Sequence, residues 1–127
     1  MTWKMRTVPL FATLFLLSST EANVSNPTTT APDIDDSGIC VVEFNASFNS
    51  ANSTPWIENI SDCNHSRIDI SANPSLQSKY KIVVVPTIIV FNNGEEEVRF
   101  QANIMMQIDA TEEEVQEAVD EIVLGDF

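Results

Sequence analysis

Two cysteines, Cys40 and Cys63, are the side chains of this 127-residue chain most capable of covalent chemistry. A thiolate attacks disulfides and binds metal ions, and it forms most readily beside a cation or a helix N-terminus, which lowers the cysteine pKa. The nearest basic residue in the sequence is His65. A structural disulfide, two buried thiols and a redox-active pair therefore remain open alternatives. The residues around Cys63 match no recognised ligand spacing, so we expect no metal site.

The charge balance excludes two classes of partner. The chain has 6 basic and 19 acidic residues, which gives a net charge of −13 at pH 7. A protein this acidic repels the phosphates of nucleic acids and of anionic lipids. We therefore expect no nucleic-acid partner and no electrostatic docking on a membrane.

Residues 1–22 have the pattern of a secretory signal peptide. Lys4 and Arg6 form a basic start, and the apolar run that follows ends at Leu17, well short of the ~20 residues of a membrane-spanning helix. We expect cleavage after Ala22, no membrane attachment afterwards, and a location outside the cell, in a periplasm or in the endoplasmic reticulum lumen. Residues 23–38 have little to bury, so they are predicted to be a disordered linker before a domain of residues 39–127.

Export would also expose Asn-x-Ser/Thr sequons to glycosylation if the source is a eukaryote. The five candidate acceptors are Asn23, Asn45, Asn52, Asn59 and Asn64.

The elements that must position these residues are clearest around Lys81–Gly94. Thr87 to Phe91 is rich in β-branched residues and predicts a strand that is apolar on both faces. Asn92-Asn93-Gly94 then favours a tight hairpin turn into a second strand at 98–102. Proline cannot donate to a sheet, so Pro86 must lie at the strand entry, where its peptide bond is a candidate for the cis isomer.

The remaining pattern completes an α/β domain. Ile39–Phe44 and Arg67–Ile70 predict parallel strands, with a helix between them from Ser53 or Thr54 to about Ser61. Asn73-Pro74 begins a second helix, and a capping box at Thr111 begins a third, which Gly125 ends. The predicted order is strand, helix, strand, helix, strand, strand, helix, in a four-stranded mixed sheet.

The segment Val85-Pro86-Thr87, the strand after it and Asn93-Gly94-Glu95 resemble the cis-proline segment of the thioredoxin family. The resemblance extends upstream to Ile68-Asp69-Ile70 and to Val41-Val42-Glu43-Phe44. It implies a minimal thioredoxin fold, βαβαββα, with four strands and three helices.

The same resemblance places a site at the end of the first strand. Phe48 stands at the position of the family's tryptophan, and Asn49 and Asn52 stand at the two cysteine positions of its Cys-x-x-Cys motif. Glu43 matches the buried acid that assists proton transfer to the second thiol. The family's peptide groove would be formed here by Phe48 and by Val85, Pro86 and Thr87.

Asparagine cannot attack a disulfide, so the resemblance implies a peptide- or protein-binding module without redox chemistry and without a cofactor. Val85 would offer its backbone to an extended peptide. One alternative is a thiol-disulfide oxidoreductase that uses Cys40 and Cys63. Another is a scaffold whose old site is covered by glycans at Asn45 and Asn52. Met105 and Met106 would either fill the core, which their chemistry favours, or line the groove.

Overall fold

A computed structural model describes residue 34 and residues 37–125. Its strands are β1 (Ile39–Asn45), β2 (Asn64–Asp69), β3 (Thr87–Asn92) and β4 (Glu95–Gln101), and its α-helices are α1 (Pro74–Lys79) and α2 (Glu112–Gly125). Two 3-10 segments, Ser47–Asn52 and Ile57–Asn59, connect β1 to β2. The predicted signal peptide and most of the predicted linker lie outside the described residues.

The strands form one mixed sheet in the order β2-β1-β3-β4. β1 is parallel to β2 and antiparallel to β3, and β3 and β4 form the hairpin. The predicted fold class is confirmed: an α/β domain with a four-stranded mixed sheet and the βαβαββα order.

The first helical position differs in detail from the prediction, because 3-10 turns replace a continuous helix up to Ser61. The expected cap, Thr54, donates both its backbone N–H and its hydroxyl to the carboxylate of Glu43, at 2.7 and 2.9 Å. A side chain that is committed to a buried acid cannot cap a helix, and the surrounding Ser and Asn residues compete for backbone groups.

The sheet is buried on both faces because most residues of β1 and β3 are apolar and buried. Alternate residues of a strand point to opposite faces, so Val42 and Phe44 pack in one cluster and Val41 in the other. Val115 and Val119 of α2 complete the second cluster. The first cluster is covered by two partly buried side chains that follow Pro74, Leu76 and Tyr80.

The hairpin turn also fastens the start of the domain. Asn93 and Gly94 have φ angles of 52° and 84°, the left-handed values that a two-residue hairpin requires. Asn93 accepts a hydrogen bond from the Gly38 N–H on its Oδ1 and donates its own N–H to the Gly38 carbonyl, each at 2.8 Å. Because the turn takes only two residues, β4 begins directly after it, at Glu95, three residues earlier than the sequence predicts.

The C-terminal helix begins as predicted. The Thr111 hydroxyl accepts from the Glu114 N–H at 3.1 Å, and the Glu114 carboxylate accepts from the Thr111 N–H at 3.0 Å, which completes the capping box. Among the helices that the structure describes, none is both long and apolar enough to cross a membrane.

Candidate functional site

The predicted site begins where β1 ends. The Asn45 side chain donates to the Asn49 carbonyl at 3.1 Å and to the Ser53 hydroxyl at 3.0 Å, so the following residues wrap into the first 3-10 segment around this amide. The segment buries Asn49, which is 6% exposed, and turns Phe48 outward, which is 74% exposed. Sequence analysis did not identify Asn45 as the residue that shapes this loop.

Asn49 joins three parts of the chain. Its Nδ2 lies 3.2 Å from Asn45 Oδ1, 3.4 Å from the Val85 carbonyl and 3.2 Å from the Met106 carbonyl. Its Oδ1 accepts from Asn52 Nδ2 at 2.8 Å. The structure thus brings Asn49 and Asn52 together beside Val85. The two hydrogens of the Asn49 side-chain amide lie near three acceptor oxygens, so this amide can hold neighbouring loops together. It offers no nucleophile.

The segment before β3 uses its carbonyls internally. The Val85–Pro86 peptide bond is cis. Val84 O accepts from the Thr87 hydroxyl at 2.7 Å, Val85 O from Asn49, and Pro86 O from the Ala102 N–H at 3.1 Å. Each of these three carbonyls therefore already holds one hydrogen bond within the domain.

Around this segment lies an exposed set of large hydrophobic side chains, here called the apolar surface. Its members are Phe48, Val83, Val84, Ile104, Met105 and Met106. Ile104 is 97% exposed and Val83 is 76% exposed. A groove of about 330 Å³ is lined by all of these side chains except Met105, and by no charged residue. The interpretation of Met105 and Met106 as core filling is wrong, because both are exposed.

The loop that carries Ile104 is held rigid by Asn103. The Asn103 Oδ1 accepts from the Met105 N–H at 2.8 Å and from the Gln107 N–H at 3.2 Å. The Met106 N–H donates to the Asn103 carbonyl at 3.0 Å. Met106 has a φ of 59°, a backbone angle that residues other than glycine rarely adopt. The turn thus holds apolar side chains out in solvent instead of folding them inward.

Glu43 is buried, at 1% exposure, and it is fully engaged. One carboxylate oxygen accepts from Thr54, and the other forms an ion pair with the Arg67 guanidinium. Arg67 also makes a two-pronged contact with Glu58, with both hydrogen bonds at 2.9 Å, and donates to the Thr54 carbonyl at 2.6 Å. The acid therefore holds β1, β2 and the connection between them together.

The charges of this group reinforce one another. Hydrogen bonding to Glu58 and the nearby Glu43 charge raise the pKa of Arg67, while the Arg67 guanidinium lowers the pKa of Glu58. Sequence analysis missed Arg67. The available signal was its register, because Arg67 lies directly across from Glu43 in the parallel pair of strands.

The two cysteines are not joined by a disulfide. Cys40 packs in one core cluster, and Cys63 packs against the cluster on the other face of the sheet. Burial, together with the charges of Cys40 and Asp62, raises the pKa of the Cys63 thiol to about 11. Both thiols are therefore free, but only Cys40 is buried as that alternative expected, and Cys63 is half-buried. No three His, Cys, Asp or Glu side chains within residue 34 and residues 37–125 converge on a metal site.

The sequons differ sharply in access. Asn45 is 7% exposed and its amide nitrogen makes two hydrogen bonds, so the folded domain has no room for a glycan there. That contradicts a scaffold whose old site is covered through Asn45. Asn52 is half-buried, whereas Asn59 and Asn64 are exposed. Asn23 lies outside the described residues.

Comparison with solved structures identifies the fold. A mutant thioredoxin from Halobacterium salinarum matches with a TM-score of 0.57 and 22% identity, over 68% of this chain and 76% of that chain. A designed protein matches with a TM-score of 0.54 and 21% identity, over 69% and 84%. A mutant thioredoxin from Entamoeba histolytica matches with a TM-score of 0.52 and 18% identity, over 67% and 82%. No protein-family model and no curated protein matches the sequence. Likeness at this level of identity shows a thioredoxin-like fold and nothing about activity.

Proposed function

We propose that this domain of thioredoxin-like fold is an exported, non-catalytic module that binds an apolar peptide or protein segment. The observation that carries the proposal is the apolar surface. Six large hydrophobic side chains from three separate segments are exposed, and all of them except Met105 line one uncharged groove. Contiguous exposed apolar patches on a soluble domain mark interaction sites, because water contact there is costly unless a partner covers them.

The arrangement at Asn49 supports binding without redox chemistry. An amide stands beside Val85 where thiol exchange would need a thiolate, and its hydrogen atoms are used to fasten neighbouring loops. The oxidoreductase alternative finds little support in the two cysteines. Cys40 is 2% exposed, and the pKa of Cys63 is far above neutral pH.

A selection from a phage-displayed library of random 12-residue peptides tests this proposal. We expect enriched peptides whose affinity falls by about tenfold or more in Ile104→Asp, because docking an isoleucine side chain contributes about 1.5 to 3 kcal/mol. Leu124→Asp is the matched control. Leu124 is 70% exposed on α2, outside the apolar surface, and the same change there should leave affinity unchanged.

Two results would overturn the proposal. One is a library that yields no peptide above background or yields peptides that bind Ile104→Asp and the unchanged protein equally well. The other is insulin reduction with dithiothreitol at a rate above background that disappears in Cys40→Ser, which would establish the oxidoreductase.

A further inference from the structure

We infer that the segment bound by the apolar surface carries an aspartate or glutamate beside its apolar residues, and that Lys81 binds this carboxylate at the edge of the groove. This inference rests on the proposed function and specifies the chemistry of the partner.

The two lysines of the domain are the cations that its own carboxylates leave unpaired. The Lys and Arg side chains that the structure describes are Arg67, Lys79, Lys81 and Arg99. Both arginines form ion pairs with glutamates. In the part of the chain that the structure describes, no ion pair involves either lysine. An acidic partner could therefore bind a lysine without displacing a glutamate.

Lys81 borders the groove. It is exposed, and it directly precedes Ile82, which lines the groove together with Gln77 and Val83. The Ile82 N–H donates to the Gln77 carbonyl at 3.0 Å, and Gln77 Nε2 donates to the Ile82 carbonyl at 3.4 Å. The groove itself is uncharged, so a bound segment would meet an unpaired cation at this end of it.

The backbone of Lys81 has a conformation that favours glycine. Its φ is 54°, and it directly follows Tyr80, the C-cap of α1. The Lys81 N–H donates to the Ser78 carbonyl at 3.3 Å, and the Ile82 N–H donates to the Gln77 carbonyl. These two bonds form a Schellman motif, in which glycine is the usual residue at the left-handed position. A lysine there is costly to the fold, and residues in unfavourable backbone conformations cluster at binding sites.

Arg99 fixes the position from which the Lys81 side chain extends. Its guanidinium donates to the Tyr80 and Lys81 carbonyls at 2.6 and 3.0 Å, and it is bound to the Glu96 carboxylate at 2.8 and 2.9 Å. The Lys79 ammonium lies 5.2 Å from the centre of the Tyr80 ring, in a cation–π contact. Lys81 is therefore the lysine whose ammonium has neither an ion-pair nor a ring partner among the described residues.

The net charge of the protein limits how acidic the partner can be. At −13, the protein repels a strongly acidic segment at long range. At 150 mM salt the Debye length is about 8 Å, so distant acidic residues are screened, whereas a direct contact with Lys81 is screened much less. A segment with a single carboxylate beside its apolar residues satisfies both conditions.

Four synthetic peptides test the inference by fluorescence anisotropy on the full chain at 150 mM NaCl. They share one apolar centre of Leu, Phe and Val. Three have blocked ends and carry glutamate, glutamine or lysine on both sides of the centre. The fourth has the glutamine flanks and a free C-terminal carboxylate, which separates a terminal carboxylate from a side-chain carboxylate.

We expect the glutamate peptide to bind about fourfold more tightly than the glutamine peptide, the size of a favourable exposed ion pair, and the lysine peptide to bind most weakly. In Lys81→Asn the ratio of the two affinities should fall close to one, because asparagine tolerates the left-handed backbone and has no charge. Lys79→Ala is the matched control. It removes an exposed lysine two residues earlier, and it should leave the fourfold ratio in place.

The stability of Lys81→Gly tests the argument from the backbone. We expect a higher melting temperature by circular dichroism, because glycine adopts this φ without strain. A cation near a helix C-terminus can also stabilise the helix. A lower melting temperature would show that Lys81 serves the fold in this way, and it would overturn the inference.

The binding outcomes separate the two proposals. If no peptide binds in a way that depends on Ile104, the proposed function fails and this inference fails with it. If the peptides bind through Ile104 but glutamate and glutamine flanks are equal, the inference alone is overturned. It is also overturned if the preference survives Lys81→Asn, if Lys79→Ala removes it equally, or if only the free C-terminal carboxylate depends on Lys81.

Discussion

Replacing Asn49 by aspartate tests the central contact of the site. The change is nearly isosteric, but it turns an amide that donates hydrogen bonds into a carboxylate that only accepts them. The three atoms around Nδ2 are all oxygens, those of Asn45, Val85 and Met106. The new charge would be buried against acceptors, with no cation among its described contacts.

The magnitudes follow from the contacts. Asn49→Ala removes two hydrogen-bond donors and one acceptor, each of which contributes about 0.5 to 1.5 kcal/mol. Water can replace part of this at exposed Met106, so we expect the free energy of unfolding to fall by about 2 kcal/mol. Asn49→Asp leaves an uncompensated charge at a position that is 6% exposed, so we expect a loss of about 4 kcal/mol at pH 7. A small domain has about 5 to 15 kcal/mol of stability in total, so Asn49→Ala should remain folded.

The dependence on pH identifies the cause. A carboxyl group in this site would have its pKa raised on folding, so its deficit is absent at low pH and grows as pH rises above the unfolded value of about 3.9. Urea denaturation followed by circular dichroism should therefore show Asn49→Asp close to Asn49→Ala at pH 4 and about 2 kcal/mol below it at pH 7.

Asn52→Asp is the control, because Asn52 is half-buried and makes one hydrogen bond to Asn49. It should lose about 1 kcal/mol, since its carboxylate can turn toward water. If Asn49→Asp is as stable as the unchanged protein at pH 7, or if its difference from Asn49→Ala does not vary with pH, then Asn49 Nδ2 is not held among buried acceptors.

Three further predictions concern the core and the last helix. At pH 8, alkylation of Cys63 should be at least tenfold slower than that of a cysteine in an unfolded peptide, because a pKa of about 11 leaves about one thiol in a thousand ionised. A comparable rate measured by mass spectrometry would contradict the raised pKa of this half-buried thiol. Arg67→Met should cost about 3 to 5 kcal/mol of unfolding free energy because it isolates the buried Glu43 carboxylate, whereas Glu58→Gln, at the exposed side of the same guanidinium, should cost under about 1 kcal/mol. Equal losses in urea denaturation would show that Glu43 does not depend on this cation. Thr111→Ala should reduce the free energy of unfolding by about 1 kcal/mol, and so lower the melting temperature, because the capping box is lost. An unchanged melting temperature would exclude that role.

The parts of the fold that sequence analysis predicted are those fixed by neighbours in the chain. The hairpin follows from a β-branched run and from Asn93-Gly94, which takes the left-handed angles of a tight turn without much strain. The last helix follows from a capping box within four residues. The fold class could be predicted because these local signals give an order of strands and helices that fits a four-stranded mixed sheet.

The helix after β1 could not be predicted because a distant contact decides it. Thr54 has the chemistry of a helix cap, but its hydrogen bonds go to Glu43, eleven residues earlier. The role of Arg67 depends in the same way on strand register. Neither contact can be read from residue type before the sheet is assembled.

The resemblance predicted contacts among three residues of the candidate site, and their role in binding stays a prediction. Asn49, Asn52 and Val85 do meet, as the resemblance implied. The exposure of Ile104 was missed, and that of Met105 and Met106 was only the less favoured alternative, because apolar residues without context are expected to be buried. Their exposure is set by a turn that Asn103 holds with its side chain, a three-dimensional feature with no periodic signature.

The clasp between Gly38 and Asn93 fixes where the polypeptide enters the domain. Gly38 lies at the hairpin end of the sheet, while the apolar surface lies beyond the far end of β1, a strand of 7 residues that spans about 20 Å. On the proposed function, the bound segment would therefore lie at the end of the sheet opposite the point where the chain enters β1.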